Sequence, residues 1–259
     1  MGGREIQLDD LFHLAPRRAG QALIQHDLRA EPWPDFSALA AIFARADLCF
    51  SDLETAIRSP LAGAPTRQGV FLHAAGAAVL DCLKDLSVST VATANNHAWD
   101  LDTGGIIGAL GELDARGFVH AGAGMDLAAA AAPAYCRSAN GSVALVAMAS
   151  GAIRDGAAAR ATRAGINELR RDAAGVLDAD DLARISAAIA EAAAQADIVL
   201  AYHHNHILEG GGRQTPQWQQ VFARQCIDAG ASIYASHGAP RLHGIEIYRR
   251  RPIFYDLGN

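Results

Sequence analysis

Five places in this sequence bring side chains able to bind a cation or move a proton to the end of an apolar run. Asp52-Leu53-Glu54 follows ADLCFS (46–51), and Asn95-Asn96-His97, with Asp100 three residues on, follows LSVSTVATA (86–94). His203-His204-Asn205-His206 closes ADIVLAYHH (196–204), His237-Gly238 closes ASIYASH (231–237), and Gln25-His26-Asp27 closes AGQALIQ (19–25). Carboxylate, amide and imidazole groups arriving from separate strands are what a metal site needs. Imidazole and carboxylate suit Zn, Mn or Fe, and an Asn carbonyl oxygen suits the harder of these. Each piece alone has a plainer reading. Asp52 and Glu54 read as a cap and a solvated carboxylate, Asn95–His97 as a turn, and the His203–His206 stretch as a polar loop. Their common position at the carboxyl ends of buried strands, where open α/β sheets place sites, favours a site.

The elements that must position these groups alternate along the chain. Between the strand-like runs, to which GFVHAG (117–122), SVALVAMAS (142–150), GIEIY (244–248) and PIFYDL (252–257) belong, lie helix-like segments at 35–46, 76–86, 103–117, 178–196 and 215–230. Asp35 reads as an N-cap of the first helix, and Thr215-Pro216 as the N-cap and first residue of the last. Alternation predicts an α/β fold with a mostly parallel sheet system. The last two strands read as an antiparallel hairpin about a solvated Arg249-Arg250-Arg251 turn, so the sheets are expected to be mixed. Residues 58–69 and 151–177 read as insertions or mobile loops. Residues 1–259 read as a single domain, truncated at its C-terminus because the chain stops directly after a strand.

Composition narrows the function classes. A formal charge of −6 and a pI near 5.9 argue against a nucleic-acid partner. No run of about 18 uncharged apolar residues is present, so no membrane span is expected. MGGREIQLDD lacks the basic-then-apolar pattern of a signal peptide, and a cytoplasmic location is the expectation. The four scattered cysteines have no paired spacing and read as buried thiols.

The chain resembles the CapA (poly-γ-glutamate capsule biosynthesis) family of the calcineurin-like metallophosphoesterase superfamily. The resemblance covers almost the whole chain. LCFSDLETAI is similar to the family's strand ending in Asn-Leu-Glu, and ATANNHAWDLDTGG to its Ala-Asn-Asn-His…Asp…Gly signature. FVHAGAGMDLAAAAAP, ADIVLAYHHNH and GASIYASHGAPRLHGIEIYRRRPIFYDLGN resemble three further segments in the family's order.

The resemblance implies a four-layer α/β/β/α sandwich with mixed sheets and a divalent metal site. It implies Glu54, Asn96, His203 and His237 as metal ligands, His97 as the proton donor, Asp100 as its orienting partner, and Asp52 beside Glu54. Two departures fall on one metal position. Gln21 stands where the family has a ligating aspartate, and Pro240 where it has a second histidine. The expectation is therefore one Mn, Fe or Zn ion, or none, with His26, Asp27, His206 or His243 as candidate substitutes. Three activities follow. One is a metal-dependent hydrolase of phosphoester or amide-type bonds in capsule synthesis. Another is a metal-independent peptide-modifying enzyme such as an epimerase, and the third a non-catalytic polymer-assembly protein. The substrate would be a small molecule, a peptide or a polyanionic polymer. The glycines at 104 and 105 also suggest an anion-holding helix start.

Overall fold

The computed structural model describes residues 17–22, 24–29 and 36–258, so the Asp35 cap lies outside the described residues. In chain order the strands are β1 (Arg17–Gln21), β2 (Cys49–Asp52), β3 (Ala56–Arg58), β4 (Ala74–Gly76), β5 (Val88–Ala92), β6 (Val119–Ala121), β7 (Ala123–Gly124), β8 (Ala134–Ser138), β9 (Gly141–Ser150), β10 (Gly165–Ile166), β11 (Ile198–Asn205), β12 (Ile233–His237), β13 (Ile245–Tyr248) and β14 (Arg251–Phe254). The helices are α1 (Phe36–Phe43), α2 (Ala78–Asp85), α3 (Asp102–Ala115), α4 (Leu127–Ala131), α5 (Ala179–Gln195) and α6 (Gln217–Asp228).

Two sheets carry the fold. One is parallel, in the order β1-β2-β5-β6, and is drawn from the first half of the chain. The other, β13-β14-β12-β11-β9-β8, comes from the second half; its centre is parallel and its edges β13 and β8 are antiparallel. Phe50 and Ala92 from the first sheet meet Leu145, Leu200, Tyr202 and Ala235 from the second between the layers. Ile185 and Ile189 of α5, with Phe222 and Cys226 of α6, cover the outer face of the six-stranded sheet. Phe43 of α1 and Val79, Leu80 and Leu83 of α2 cover the outer face of the four-stranded one. The result is the expected α/β/β/α sandwich. Each fully buried Leu, Ile or Phe in these interfaces contributes roughly 2 kcal/mol through burial.

Local chemistry sets the element ends. Asp178 caps α5 by accepting from the backbone N–H groups of Asp180 and Asp181. The last helix starts later than expected: Pro216 occupies the N-cap position, and the Thr215 hydroxyl lies 3.2 Å from His243 Nδ1 instead of capping. The β13–β14 hairpin is present, with Arg249 and Arg250 at φ 48° and 63°, the signs of a type I′ turn. This turn is tied down rather than merely solvated. Arg249 pairs with Asp228 at 3.1 Å, and Arg251 donates to the Ala231 carbonyl at 2.7 Å.

The segment 151–177 is also more organised than a mobile loop. It buries Ala157, Ala159, Ile166 and Leu169, and pairs β10 with β7. Arg170 of the segment then binds Asp181 on α5, and Arg184 of α5 donates to Asn167 Oδ1 and the Glu168 carbonyl. The four cysteines form no disulfide. No helix among the described residues is long and apolar enough to cross a membrane.

Candidate metal and proton-transfer site

Pleat parity decides which histidine of β11 reaches the site. All eight residues of the strand are buried. Val199, Ala201 and His203 face the helices, whereas Leu200, Tyr202 and His204 face the other sheet. His203 packs edge-on against Phe222 and Tyr234. Its Nδ1 lies 2.8 Å from the Tyr234 hydroxyl and its Nε2 2.9 Å from Ser150 Oγ, and burial pushes its pKa down to about 3. A neutral imidazole held by two hydroxyls in the outer core is not placed to bind an ion at the strand ends. The structure brings His204 there instead of His203.

His204 is fully buried and contacts three of the expected site residues. Its Nδ1 lies 3.0 Å from Asp52 Oδ2, and its Nε2 lies 2.6 Å from Asn96 Oδ1 and 3.6 Å from Glu54 Oε1. Burial works against the charged ring, but the bond and charge of Asp52, with Glu54 nearby, raise its pKa overall. Asp52, Glu54 and His204 present ligand atoms all within 4.8 Å of one another. Both oxygens of Asp52 already have partners, since Oδ1 accepts from Asn95 Nδ2 at 3.1 Å. Asn95 also accepts from the His97 backbone N–H at 3.1 Å, so it shapes the turn that presents Asn96 and His97.

Glu54 is the strained member. Its Oε2 is buried without a hydrogen-bond partner. Burial, with the nearby Asp52 and Asp100 carboxylates, pushes its pKa up to about 7 against the pull of His204 and Arg67. His97 stands next to it. His97 Nε2 lies 3.9 Å from Glu54 Oε1, and His97 Nδ1 lies 2.8 Å from Asp100 Oδ2. His73 stacks on the His97 ring at 3.7 Å and 14°. Beneath the cluster, burial and Asp52 hold the Tyr202 phenol well above its usual pKa.

The remaining expectations divide. His237 sits in register with His204 on the neighbouring strand, its ring 5.6 Å from Tyr202. Gly238, at φ 136°, lets the chain leave β12 against the Asn205 carbonyl, where a Cβ would come within 1.9 Å. Gln21 pairs in backbone register with Asp52, so the position is at the site, although its side chain lies outside the described residues. Of the candidate substitutes, His206 is near: its ring is parallel to that of His204 at 6.2 Å, and burial, with His204, brings its pKa to about 4. His26 is exposed, Asp27 pairs with Arg29, and His243 bridges Thr215 and the Gly212 carbonyl. The start of α3 is not an open anion site, because a Cβ on Gly104 would lie 2.0 Å from the Leu61 carbonyl oxygen that packs there.

Asp52, Glu54 and His204 form a candidate site for a divalent ion. Adjacent ligands on an ion with bonds of about 2.1 Å lie about 3.0–3.4 Å apart. The 3.6 Å from His204 Nε2 to Glu54 Oε1 is near that range, whereas the 2.6 Å to Asn96 Oδ1 is a hydrogen-bond distance that an entering ion would have to widen. The partnerless Glu54 Oε2 is the atom such an ion would satisfy.

A model of a bacterial capsule synthesis protein family, PGA_cap, matches residues 13–259. The chain belongs to the PGA_cap family. A "Probable polyglutamine synthesis accessory protein" of Mycobacterium tuberculosis is 31% identical over 95% of this chain and 63% of its own length. The "PGA biosynthesis protein CapA" of Bacillus subtilis is 32% identical over 68% of this chain and 43% of its own. An uncharacterised protein of Sinorhizobium fredii is 28% identical over 93% and 64%. This PGA_cap chain thus spans less than two thirds of the length of these relatives. A crystal structure of a hypothetical protein from Thermus thermophilus shares the fold at a TM-score of 0.55 and 17% identity, covering 93% of this chain and 75% of the other.

Proposed function

We propose that this PGA_cap protein is a hydrolase of phosphoester or amide-type bonds that uses one divalent ion, Mn, Fe or Zn, and serves the synthesis of a glutamate polymer. The observation that carries the reading is the approach of His204 Nε2 to Asn96 Oδ1 and Glu54 Oε1, with Glu54 Oε2 buried and without a hydrogen-bond partner. These three would hold the ion, with His237 beside them. The ion would supply Lewis acidity toward the substrate and its attacking water. Asp52 holds the His204 ring by its Nδ1, which would leave Nε2 to bind an ion, as outer carboxylates do for ligating histidines. Asp100 holds the Nδ1 proton of His97, leaving Nε2 to give a proton to the leaving group.

One feature favours a second reading. His204 already has Asp52 on one nitrogen and Asn96 on the other. A protonated His204 fills the same role of charge balance without an ion. The cluster would then be a proton-transfer site, with His97 and Glu54 as acid and base on a peptide substrate, as in an epimerase.

Elemental analysis of protein purified without chelator separates the two. About one equivalent of Mn, Fe or Zn, lost in His204→Ala and accompanied by turnover on a phosphoester panel, supports the hydrolase. Absence of metal, with no activity gained on adding Mn or Zn, overturns it in favour of proton transfer.

A further inference from the structure

Between β3 and β4 the chain makes a loop whose composition suggests a surface insertion. Its inner side instead grips the residues expected to do chemistry. Arg67 Nε lies 2.8 Å from Asp100 Oδ1, on the carboxylate oxygen opposite the one that holds His97. Arg67 Nη2 donates to the Asn96 carbonyl at 2.8 Å and to the Ala152 carbonyl at 3.3 Å. The same loop is sewn to the 95–102 turn by backbone bonds from Thr66 to Asp100 and from Gly63 to Leu101, both 2.9 Å. At its far end the His73 backbone N–H donates to Asp100 Oδ2 at 2.9 Å.

We propose that Arg67 is a positioning residue, which sets the His97–Asp100 pair and the Asn96 amide together through one guanidinium. The physical case rests on geometry. Asp100 is completely buried. His97 and the His73 N–H both bind its Oδ2, which leaves the carboxylate free to swing about that oxygen. The Arg67 charge, 2.8 Å from Oδ1 as an ion pair, holds the other end and with it the direction in which His97 Nε2 points. The planar guanidinium spans a carboxylate and a carbonyl at once, which an ammonium on a flexible stem cannot do. By fixing the Asn96 carbonyl, Arg67 also fixes the backbone from which the Asn96 amide reaches His204. Loop 59–73 is therefore part of the site's frame. This inference rests on the reading of His97 as proton donor and Asn96 as ligand.

The test uses the full chain and two independent readouts. The first is the far-downfield imidazole N–H resonance of the His97–Asp100 bond in metal-free protein, with its exchange rate against water. The second is Mn binding by calorimetry. In Arg67→Lys, which keeps the charge, the His97 N–H should exchange at least tenfold faster. Mn affinity should fall about 10–100-fold. Val70→Ser, a change at an exposed position of the same loop, should alter neither. Near-UV circular dichroism confirms that each variant is folded, and Arg67→Lys carries the test if Arg67→Ala is not. Wild-type exchange and wild-type affinity in Arg67→Lys overturn the proposal. Faster exchange in a protein that binds no Mn in any form supports the positioning role and sinks the metal reading instead.

Discussion

His204 and Asp52 lie 3.0 Å apart on two different sheets, with both side chains fully buried. The contact joins β11 to β2 across the sandwich and turns a buried imidazole toward Asn96 and Glu54. His203, its sequence neighbour, faces the opposite way. The two histidines therefore separate by function in a single pair of variants. His204→Ala is expected to abolish metal retention and turnover. His203→Ala is expected to lower stability by about 2–4 kcal/mol through lost packing and two orphaned hydroxyls, while keeping the metal stoichiometry. Urea titration and elemental analysis of both proteins check this; loss of metal in His203→Ala with retention in His204→Ala would reverse the assignment.

Asp256 gives a pH signature. Its burial raises the carboxyl from the usual 3.8 to about 6, against the donated backbone N–H groups of Ala239 and Gly258. Between those two values the native state keeps a proton that the unfolded chain has released. Stability from this group is present below pH 4 and is lost as the pH rises through 6. Asp256→Asn removes the titration. The stability difference, wild type minus variant, should fall by about 2–3 kcal/mol between pH 4 and pH 7. A flat difference across that window would remove Asp256 from the explanation.

Asp181 behaves oppositely. Burial would raise its pKa, but the bonds from Arg170 and Arg184 outweigh it and hold the carboxyl below the usual range. Its contribution is present at neutral pH and lost on acidification. Asp181→Ala removes the bonds from both guanidinium groups, although Arg170 keeps Asp178 and Arg184 keeps Asn167 and the Glu168 carbonyl, and should cost about 1–3 kcal/mol. Because Arg170 and Arg184 are the tethers of segment 151–177, limited proteolysis there should accelerate in the same variant. A loss under about 1 kcal/mol would mark the cluster as a surface ion pair instead.

Gly104→Ala tests the seat of the β3–β4 loop. The added methyl meets the Leu61 carbonyl, a backbone atom with no rotamer to escape into. A cost of about 1–3 kcal/mol is expected, together with weaker Mn binding, because the displaced loop carries Arg67. Thermal melts and calorimetry on the folded variant measure both, and an unchanged melt would show that the loop has room to shift.

Much of this candidate cluster is readable in the sequence. Asp52 and Glu54 end or closely follow β2, and Asn96 and His97 lie in the turn after β5, with Asp100 three residues on; a strand end at a sheet edge is where polar groups can gather. His204 was hidden for a physical reason. β11 is buried on both faces, so its apolar residues do not alternate with polar ones and nothing in the run reveals which face each histidine takes. Arg67 and His73 lie in irregular backbone, where no period connects a residue to a direction. The short pairs β3–β4 and β7–β10 escape notice because two or three residues carry no period at all. The Ala-rich run that becomes α4 is too short to show one, and its start is set by the Asp126 side chain accepting from Ala129.

The two sheets arise from successive stretches of chain, residues 17–121 and 134–254, joined through residues 122–133, which hold β7 and α4. Asp52, Glu54, Asn96, His97 and Asp100 all precede that connection, and His204 and His237 follow it. Neither stretch contains the whole candidate site. A chain divided at the connection would yield two inert fragments, and activity would return only when the fragments reassociate. Restored activity on mixing would therefore report that the two layers have docked in register.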